Sequence, residues 1–287
     1  MTILETGLSE VLRKAIWMLN EAGVKDAAVD GRILASAAFD LSREDMLRDP
    51  NAPLATERVA IFWGMIARRR AREPVSRILG KREFRSLEFE IAQTTLDPRS
   101  DSENLVEAAL DVAKEMSNDL RILDIGTGTG CLLLSILREL PDARGVGTDI
   151  DPGAVACARR NASALGLSNR SEFLHTSWVT RVKPVFDIVV SNPPYIPSND
   201  ILGLAPEVSK YDPLVALDGG VDGLEAYRSL AECIGQIISR AGAAVLEVGD
   251  RQASPVAQIF ALAGYYLGGS RQDLAGNERV LILLPNR

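Results

Sequence analysis

The sequence predicts an α/β protein: a parallel, doubly wound sheet preceded by a small helical region. Three observations carry that prediction. Residues 1–75 show only helical periodicity. From about Ser102 onward, short buried apolar runs alternate with amphipathic stretches of helical spacing, the pattern of a sheet built from βαβ units. One of those apolar runs leads straight into a glycine-rich turn and then a helix.

The elements follow in order. Leu8, Val11, Leu12, Ala15, Ile16 and Leu19 recur at helical spacing, and Gly23 supplies a stop. Asp30 to Phe39 reads as a second helix. Ser42 opens S-R-E-D, an N-cap before Met46 and Leu47. Pro53 to Glu73 reads as a third, with Val59, Phe62, Trp63 and Ile66 on one side; Trp17 and Trp63 are expected in the core. Arg68, Arg69, Arg70 and Arg72 gather at its end, where cations oppose the helix dipole. The cluster also suits an acidic or RNA-bound partner. Arg77 to Ile91 alternates like a short hairpin, giving a boundary scheme of 1–75 for a helical substrate-recognition domain, 76–95 for a hairpin linker and 96–287 for a catalytic domain. Within the last, strands are expected at Arg121–Ile125, Gly145–Ile150, Glu172–Leu174, Phe186–Val190 and Ala243–Val248. Helices are expected at Leu105–Met116, Cys131–Leu140, Pro152–Leu165, Val221–Ile238 and Pro255–Ala263. Tyr265–Leu267 and Arg279–Leu284 read as a closing hairpin.

Composition narrows the chemistry. The 287 residues include a single histidine, His175, so no mechanism can use two imidazoles. Cys131, Cys157 and Cys233 form no CxxC pair, which argues against a disulfide framework or a cysteine-rich metal site and fits a cytoplasmic protein. The start, MTILETGLSE, has neither the basic opening nor the apolar centre of a secretory leader, and no apolar run approaches the ~18 residues of a membrane span. The formal charge of −7 makes a generic phosphate-backbone binder unexpected.

The stretch Leu123-Asp-Ile-Gly-Thr-Gly-Thr-Gly130 follows a strand and opens a helix. Its glycines at 126, 128 and 130 do not fit the G-x-G-x-x-G dinucleotide spacing, and no Gly-Lys-Ser/Thr of a P-loop follows. A tight G-x-G-x-G suits a ligand without phosphates, such as the amino-acid end of S-adenosyl-L-methionine; it also suits a plain strand-to-helix turn. Gly126, Thr127, Gly128, Thr129 and Gly130 are thus candidate cofactor contacts. Asp149 ends the next strand, where a carboxylate can accept both ribose hydroxyls in doubly wound folds. Asp151-Pro152 is better placed to cap the following helix. Asp124 is expected to orient the loop or the cofactor's ammonium.

The strand Phe186–Val190 runs into Ser191-Asn-Pro-Pro-Tyr-Ile-Pro197. Consecutive prolines fix φ, lack N–H groups and hold the preceding residues extended. An amide or aromatic amine nitrogen is a poor nucleophile because its lone pair is delocalised. The Asn192 side-chain oxygen and the Pro193 carbonyl can accept both hydrogens of such an NH₂ and point its lone pair at a methyl sulfonium. Pro194 stiffens the loop, and Tyr195 offers a flat face to a planar substrate group. Orientation of this kind is worth up to roughly 7–11 kcal/mol, aided by aimed dipoles, and needs no histidine.

These motifs resemble the HemK/PrmC family of protein-(glutamine-N5) methyltransferases, which modify class 1 peptide chain release factors. The similarity includes E-P-V-S-R-I-L-G-K-R-E-F from Glu73, the glycine loop, V-S-N-P-P-Y-I, Tyr211-Asp-Pro-Leu-Val-Ala-Leu217 with Gly219-Gly220, and G-N-E-R-V from Gly276. The resemblance implies a class I S-adenosylmethionine-dependent methyltransferase fold with seven strands, the last antiparallel. It implies that the glycine loop, Asp149, Trp178 and Asn192 line the cofactor, with S-adenosyl-L-homocysteine as product. It also implies that Asn192 to Tyr195 hold the glutamine of a Gly-Gly-Gln motif, with no metal. Two segments depart from the family. Ser100 and Ser102 stand where it usually has Pro and Thr, and Ser177 precedes Trp178 where it often has Asp. The Ser177 change predicts weaker cofactor binding.

Asn-Pro-Pro-Tyr also serves N6-adenine methylation of DNA or RNA. The negative charge and the absence of a large target-recognition module favour a protein substrate, with no nucleic-acid substrate, no membrane partner and a monomeric chain. His175 and Cys131 read as structural. Trp178 reads either as an adenine neighbour or as core. Glu247 either faces the site or ends its strand.

Overall fold

A computed structural model describes residues 7–116, 119–183, 185–273 and 275–286; the start of the segment read as lacking a leader, residues 1–6, lies outside them. The chain divides into two compact units, Met1–Gly80 with Ala205–Tyr211, and Lys81–Leu204 with Asp212–Arg287.

The first unit is helical: α1 (Leu8–Glu21), α2 (Ala27–Phe39), α3 (Arg43–Arg48), α4 (Thr56–Arg70) and α5 (Val75–Leu79). Leu8, Val11, Ala15 and Leu19 form the buried stripe of α1 and pack with Leu34, Phe62 and Ile66. Ser42 caps α3 in a reciprocal capping box with Asp45. Trp17, expected in the core, is 61% exposed. It sits two residues from both Ala15 and Leu19, which on a helix is the opposite face. Trp63 is half-buried against Phe62, and the Lys14 ammonium lies 5.7 Å from its ring centre.

The arginine cluster at the end of α4 is largely engaged internally. Arg68 pairs with Glu73. Arg69 is buried between Asp30 and Glu207, and Arg72 also grips Glu207. Glu207 lies in the segment Ala205–Tyr211, which carries the short helix α9 (Pro206–Ser209). Burial alone would raise the Glu207 carboxyl, but hydrogen bonds from Arg72 and Arg69 outweigh it and hold the group at about 2.

The second unit opens with a hairpin, β1 (Lys81–Phe84) and β2 (Leu87–Glu90). Arg85 and Ser86 turn it with φ of 50° and 59°, both left-handed. The segment read as a linker is a packed part of this unit. Phe84 and Phe89 are core residues, and the Glu90 backbone exchanges two hydrogen bonds with the Asn161 carboxamide.

The remaining elements are α6 (Glu103–Lys114), β3 (Arg121–Ile125), α7 (Cys131–Glu139), β4 (Arg144–Asp149), α8 (Pro152–Ala164), β5 (Ser171–His175), β6 (Phe186–Ser191), α10 (Glu225–Cys233), β7 (Ile238–Glu247), α11 (Ala253–Leu262), β8 (Tyr265–Gln272) and β9 (Glu278–Pro285). Seven strands form one sheet in the order β5-β4-β3-β6-β7-β9-β8. Only β9 runs against its neighbours. Along β3 and β6 the side chains alternate between two cores. Ile122, Ile188 and Val190 join α6, α7 and α8; Leu123, Ile125 and Val189 join α10 and α11. The long helix expected over Val221–Ile238 is shorter. Gly223, at φ 74°, holds the chain outside helical geometry, and Ile238 already pairs with Phe186 as the start of β7.

Between β3 and β6 the strand order reverses. Their connections leave in opposite directions, opening a crevice at the strand ends where α/β proteins bind ligands.

Candidate active site

The wall at the end of β3 is backbone. Gly126 and Thr127 donate their N–H groups to the Thr148 carbonyl, both at 2.9 Å, which bends the loop over β4. Gly128 donates to Asp149 Oδ2 at 2.8 Å, and the other Asp149 oxygen accepts from the Asp151 N–H at 2.9 Å. Gly126 and Gly128 have φ of 76° and 54°, and a Cβ on either would meet nothing within 4 Å. Side chains are absent there because the space belongs to the crevice. Gly130 serves packing instead: a Cβ there would press on Leu134, Ala158 and Phe173. Asp151 caps α8 through Gly153 and Ala154, as its sequence position predicts.

The crevice is a cavity of about 570 Å³, within the range of small-molecule sites. It brings together Gly126, Thr127, Gly128 and Thr129 with Asp149, Trp178, Asn192, Pro193 and Pro194. Trp178 stands at its edge with a left-handed φ of 48°, beside Ser177. Three expected contacts lie outside the lining: Gly130, Asp124 and Tyr195. Asp124 is fully buried and accepts from the Thr127 hydroxyl at 2.7 Å, while its other oxygen has no partner among the described atoms. Burial pushes its carboxyl up to about 7 against the lowering pull of Thr127. It supports the loop from beneath. The Tyr195 ring packs on the α10–α11 side of the sheet, close to Gly249, and not in the cavity wall. Its carbonyl accepts from Gln252 Nε2 at 2.9 Å, which pins the loop.

The wall at the end of β6 is made of side chains. Ser191 is buried and donates to the Ile125 carbonyl at 2.7 Å, tying β6 to β3. Asn192 Nδ2 donates to Ser102 Oγ at 3.1 Å. Ser102 in turn donates to Glu247 Oε2 at 2.6 Å, and the Tyr195 hydroxyl lies 3.5 Å from Glu247 Oε1. Burial pushes Glu247 up to about 7, opposed by the Ser102 hydrogen bond. Glu247 therefore does more than end its strand, and its place on β7, beside β6, was the available signal. Cys131, read as structural, also lines the cavity, and burial raises its thiol to about 12. His175 contacts the Ile150 carbonyl at 3.0 Å and is not in the lining. Among the described residues no group of three or more His, Cys, Asp and Glu side chains is arranged to hold a metal ion.

Comparison with known proteins places this geometry. Residues 10–80 match the PrmC N-terminal domain and residues 100–203 the methyltransferase small domain. A release factor glutamine methyltransferase of Rhodospirillum rubrum is 45% identical over 96% of this chain and 84% of its own length. The chain belongs to the release factor glutamine methyltransferase family. A relative in Agrobacterium fabrum, carrying the same description, is 41% identical over 92% of each chain. A methyltransferase structure from Pyrococcus furiosus matches 81% of this chain and all of its own, with a TM-score of 0.51 and 18% identity, which supports the class I methyltransferase fold.

Proposed function

We propose that this chain transfers a methyl group from S-adenosyl-L-methionine to the side-chain nitrogen of the glutamine in the Gly-Gly-Gln motif of class 1 release factors. The observation that carries this reading is the Asn192 carboxamide in the cavity wall. Its nitrogen is committed to Ser102, so its oxygen is the remaining polar atom for a substrate NH₂.

The chain fits the cofactor. The open cradle over Gly126 and Gly128 admits an amino-acid moiety without steric conflict. Asp149 is positioned for ribose hydroxyls, and burial raises its carboxyl. Trp178 and Ser177 supply the adenine edge. When bound, the cofactor supplies an electrophilic methyl on a sulfonium. Asn192 Oδ1 and the Pro193 carbonyl accept the two hydrogens of the glutamine amide and align its nitrogen. The amide becomes acidic only as the new bond forms, so no residue has to remove a proton first. The action is orientation with aimed dipoles.

The helical unit is the proposed recognition element for the release factor, acting in the cytoplasm on a monomeric enzyme. Three of the arginines that could have offered a phosphate-binding patch, Arg68, Arg69 and Arg72, are spent on internal carboxylates, which disfavours a nucleic-acid substrate. The test is direct. Purified protein, S-adenosyl-L-methionine and a release factor are incubated, and the Gly-Gly-Gln peptide is fragmented by mass spectrometry. A glutamine heavier by one methylene, formed far more slowly with Asn192→Ala, supports the reading. Methylated adenine in a DNA or RNA control, with an unmodified peptide, overturns it.

A further inference from the structure

We propose that Ser102 and Glu247 are positioning residues that fix which way the Asn192 carboxamide faces. The inference rests on the methyl-transfer reading and concerns the two side chains that stand behind the Asn192 carboxamide.

A carboxamide fits its slot in two orientations of nearly equal shape. One offers an oxygen to the substrate NH₂; the other opposes it with a second NH₂ and cannot align it. Backbone geometry does not choose between them. The chain of donors does. An ionised carboxylate only accepts hydrogen bonds. Glu247 Oε2 takes the single hydrogen of Ser102 at 2.6 Å. The Ser102 oxygen can then only accept, and the group facing it at 3.1 Å must be the Asn192 nitrogen. The oxygen of Asn192 is left for the cavity. Ser102 is 3% exposed and Glu247 2%, so little water competes for these bonds.

This polarity holds while Glu247 is ionised, and its surroundings pull both ways. Tyr195 offers its hydroxyl hydrogen to the other carboxylate oxygen. Burial and the charge of Asp101 oppose the ionised form; hydrogen bonds from Ser102 and Asn192 and the charge of Arg279 on β9 favour it. The Tyr227 hydroxyl is occupied by the Glu247 backbone carbonyl.

The pair Ser102→Thr and Ser102→Val tests this, because the two side chains share a shape and only Thr keeps the hydroxyl. Both are assayed on a Gly-Gly-Gln release factor in single turnover, with cofactor binding measured separately. Ser102→Thr should retain most of the rate. Ser102→Val should lose about ten- to a hundredfold with cofactor affinity within a few-fold of the parent. In an Asn192→Ala background the same Val substitution should cost nothing further, since no carboxamide remains to orient. Equal rates for Thr and Val, or an undiminished Val penalty in the Asn192→Ala background, overturn the inference while leaving the methyltransferase reading intact. A parent enzyme that leaves the glutamine unmodified overturns the reading, and the inference with it.

Discussion

The two walls of the crevice follow neighbouring strands, yet they are built from opposite materials. The β3 wall is main chain: glycines at positive φ, and amides fixed to Thr148 and Asp149. The β6 wall is a stiff proline loop carrying one amide side chain, which is held by residues far away in sequence. The first wall encloses, and its shape comes from a continuous stretch. The second orients, and its precision depends on contacts no local motif contains. Binding and turnover should therefore fail separately.

The largest separation is expected at the two polar anchors. Asn192→Ala should lower kcat by roughly 10²–10³-fold with a small change in cofactor affinity. Asp149→Ala should raise the cofactor Kd by about ten- to a hundredfold and leave the rate at saturation largely intact. Calorimetry alongside turnover assays checks both, and similar losses in both quantities for both variants would break the division.

Gly223→Ala comes next. Gly223 has a φ of 74°, and a Cβ there would fall 2.4 Å from the Tyr195 carbonyl and 2.6 Å from Gln252 Nε2. The substitution should cost about 2–3 kcal/mol of stability and loosen the proline loop. Thermal melts, with kcat falling more than cofactor affinity, would sharpen the contrast.

Asp124 tests the support beneath the glycine wall. Its folded carboxyl sits at about 7 against an ordinary 3.8, chiefly through burial. Between about pH 4 and pH 7 the folded chain binds more protons at this site than the unfolded one, so stability falls as pH rises across that window. In Asp124→Asn that fall disappears. The melting temperature of the variant, relative to the parent, should rise from the acid end of the window to the neutral end; a constant offset would exclude the effect. Smallest of all, Ser177→Asp should tighten cofactor binding about two- to fivefold without touching kcat.

The same contrast explains what could be read in advance. The β3 wall was legible because each of its requirements is local. Glycines mark the turn, Asp149 ends the next strand, and Asp151-Pro152 announces a cap. The proline loop was legible as a motif, but not that the Tyr195 ring packs, partly buried, against the α10–α11 core outside the cavity lining. Tertiary packing decides which way an aromatic turns. The link from Asn192 to Ser102 and Glu247 spans elements that meet only when β6 and β7 pair and the turn before α6 closes over them. Periodicity located nearly every helix and strand. It overran at α10, where two apolar segments joined by Gly235 read as one helix, and it misplaced Trp17, whose neighbours are apolar although its own face is not buried.

The segment Ala205–Tyr211 gives the chain an unusual traffic pattern. It passes from the helical unit to the sheet unit after Gly80, returns at Ala205 and leaves again after Tyr211. Glu207 is seated there between two arginines of the first unit, and the Tyr211 hydroxyl donates to the Ala71 carbonyl. A protease cut after Gly80 would thus yield two fragments that co-purify, released only by acid that neutralises Glu207 or by denaturant. A gene shortened to begin at Lys81 would encode a sheet unit carrying a misfit: the loop of Glu207, starting thirteen residues past Asn192, deprived of its seat. Within the first unit, the end of α4 is a socket into which the loop beyond the proline motif is plugged.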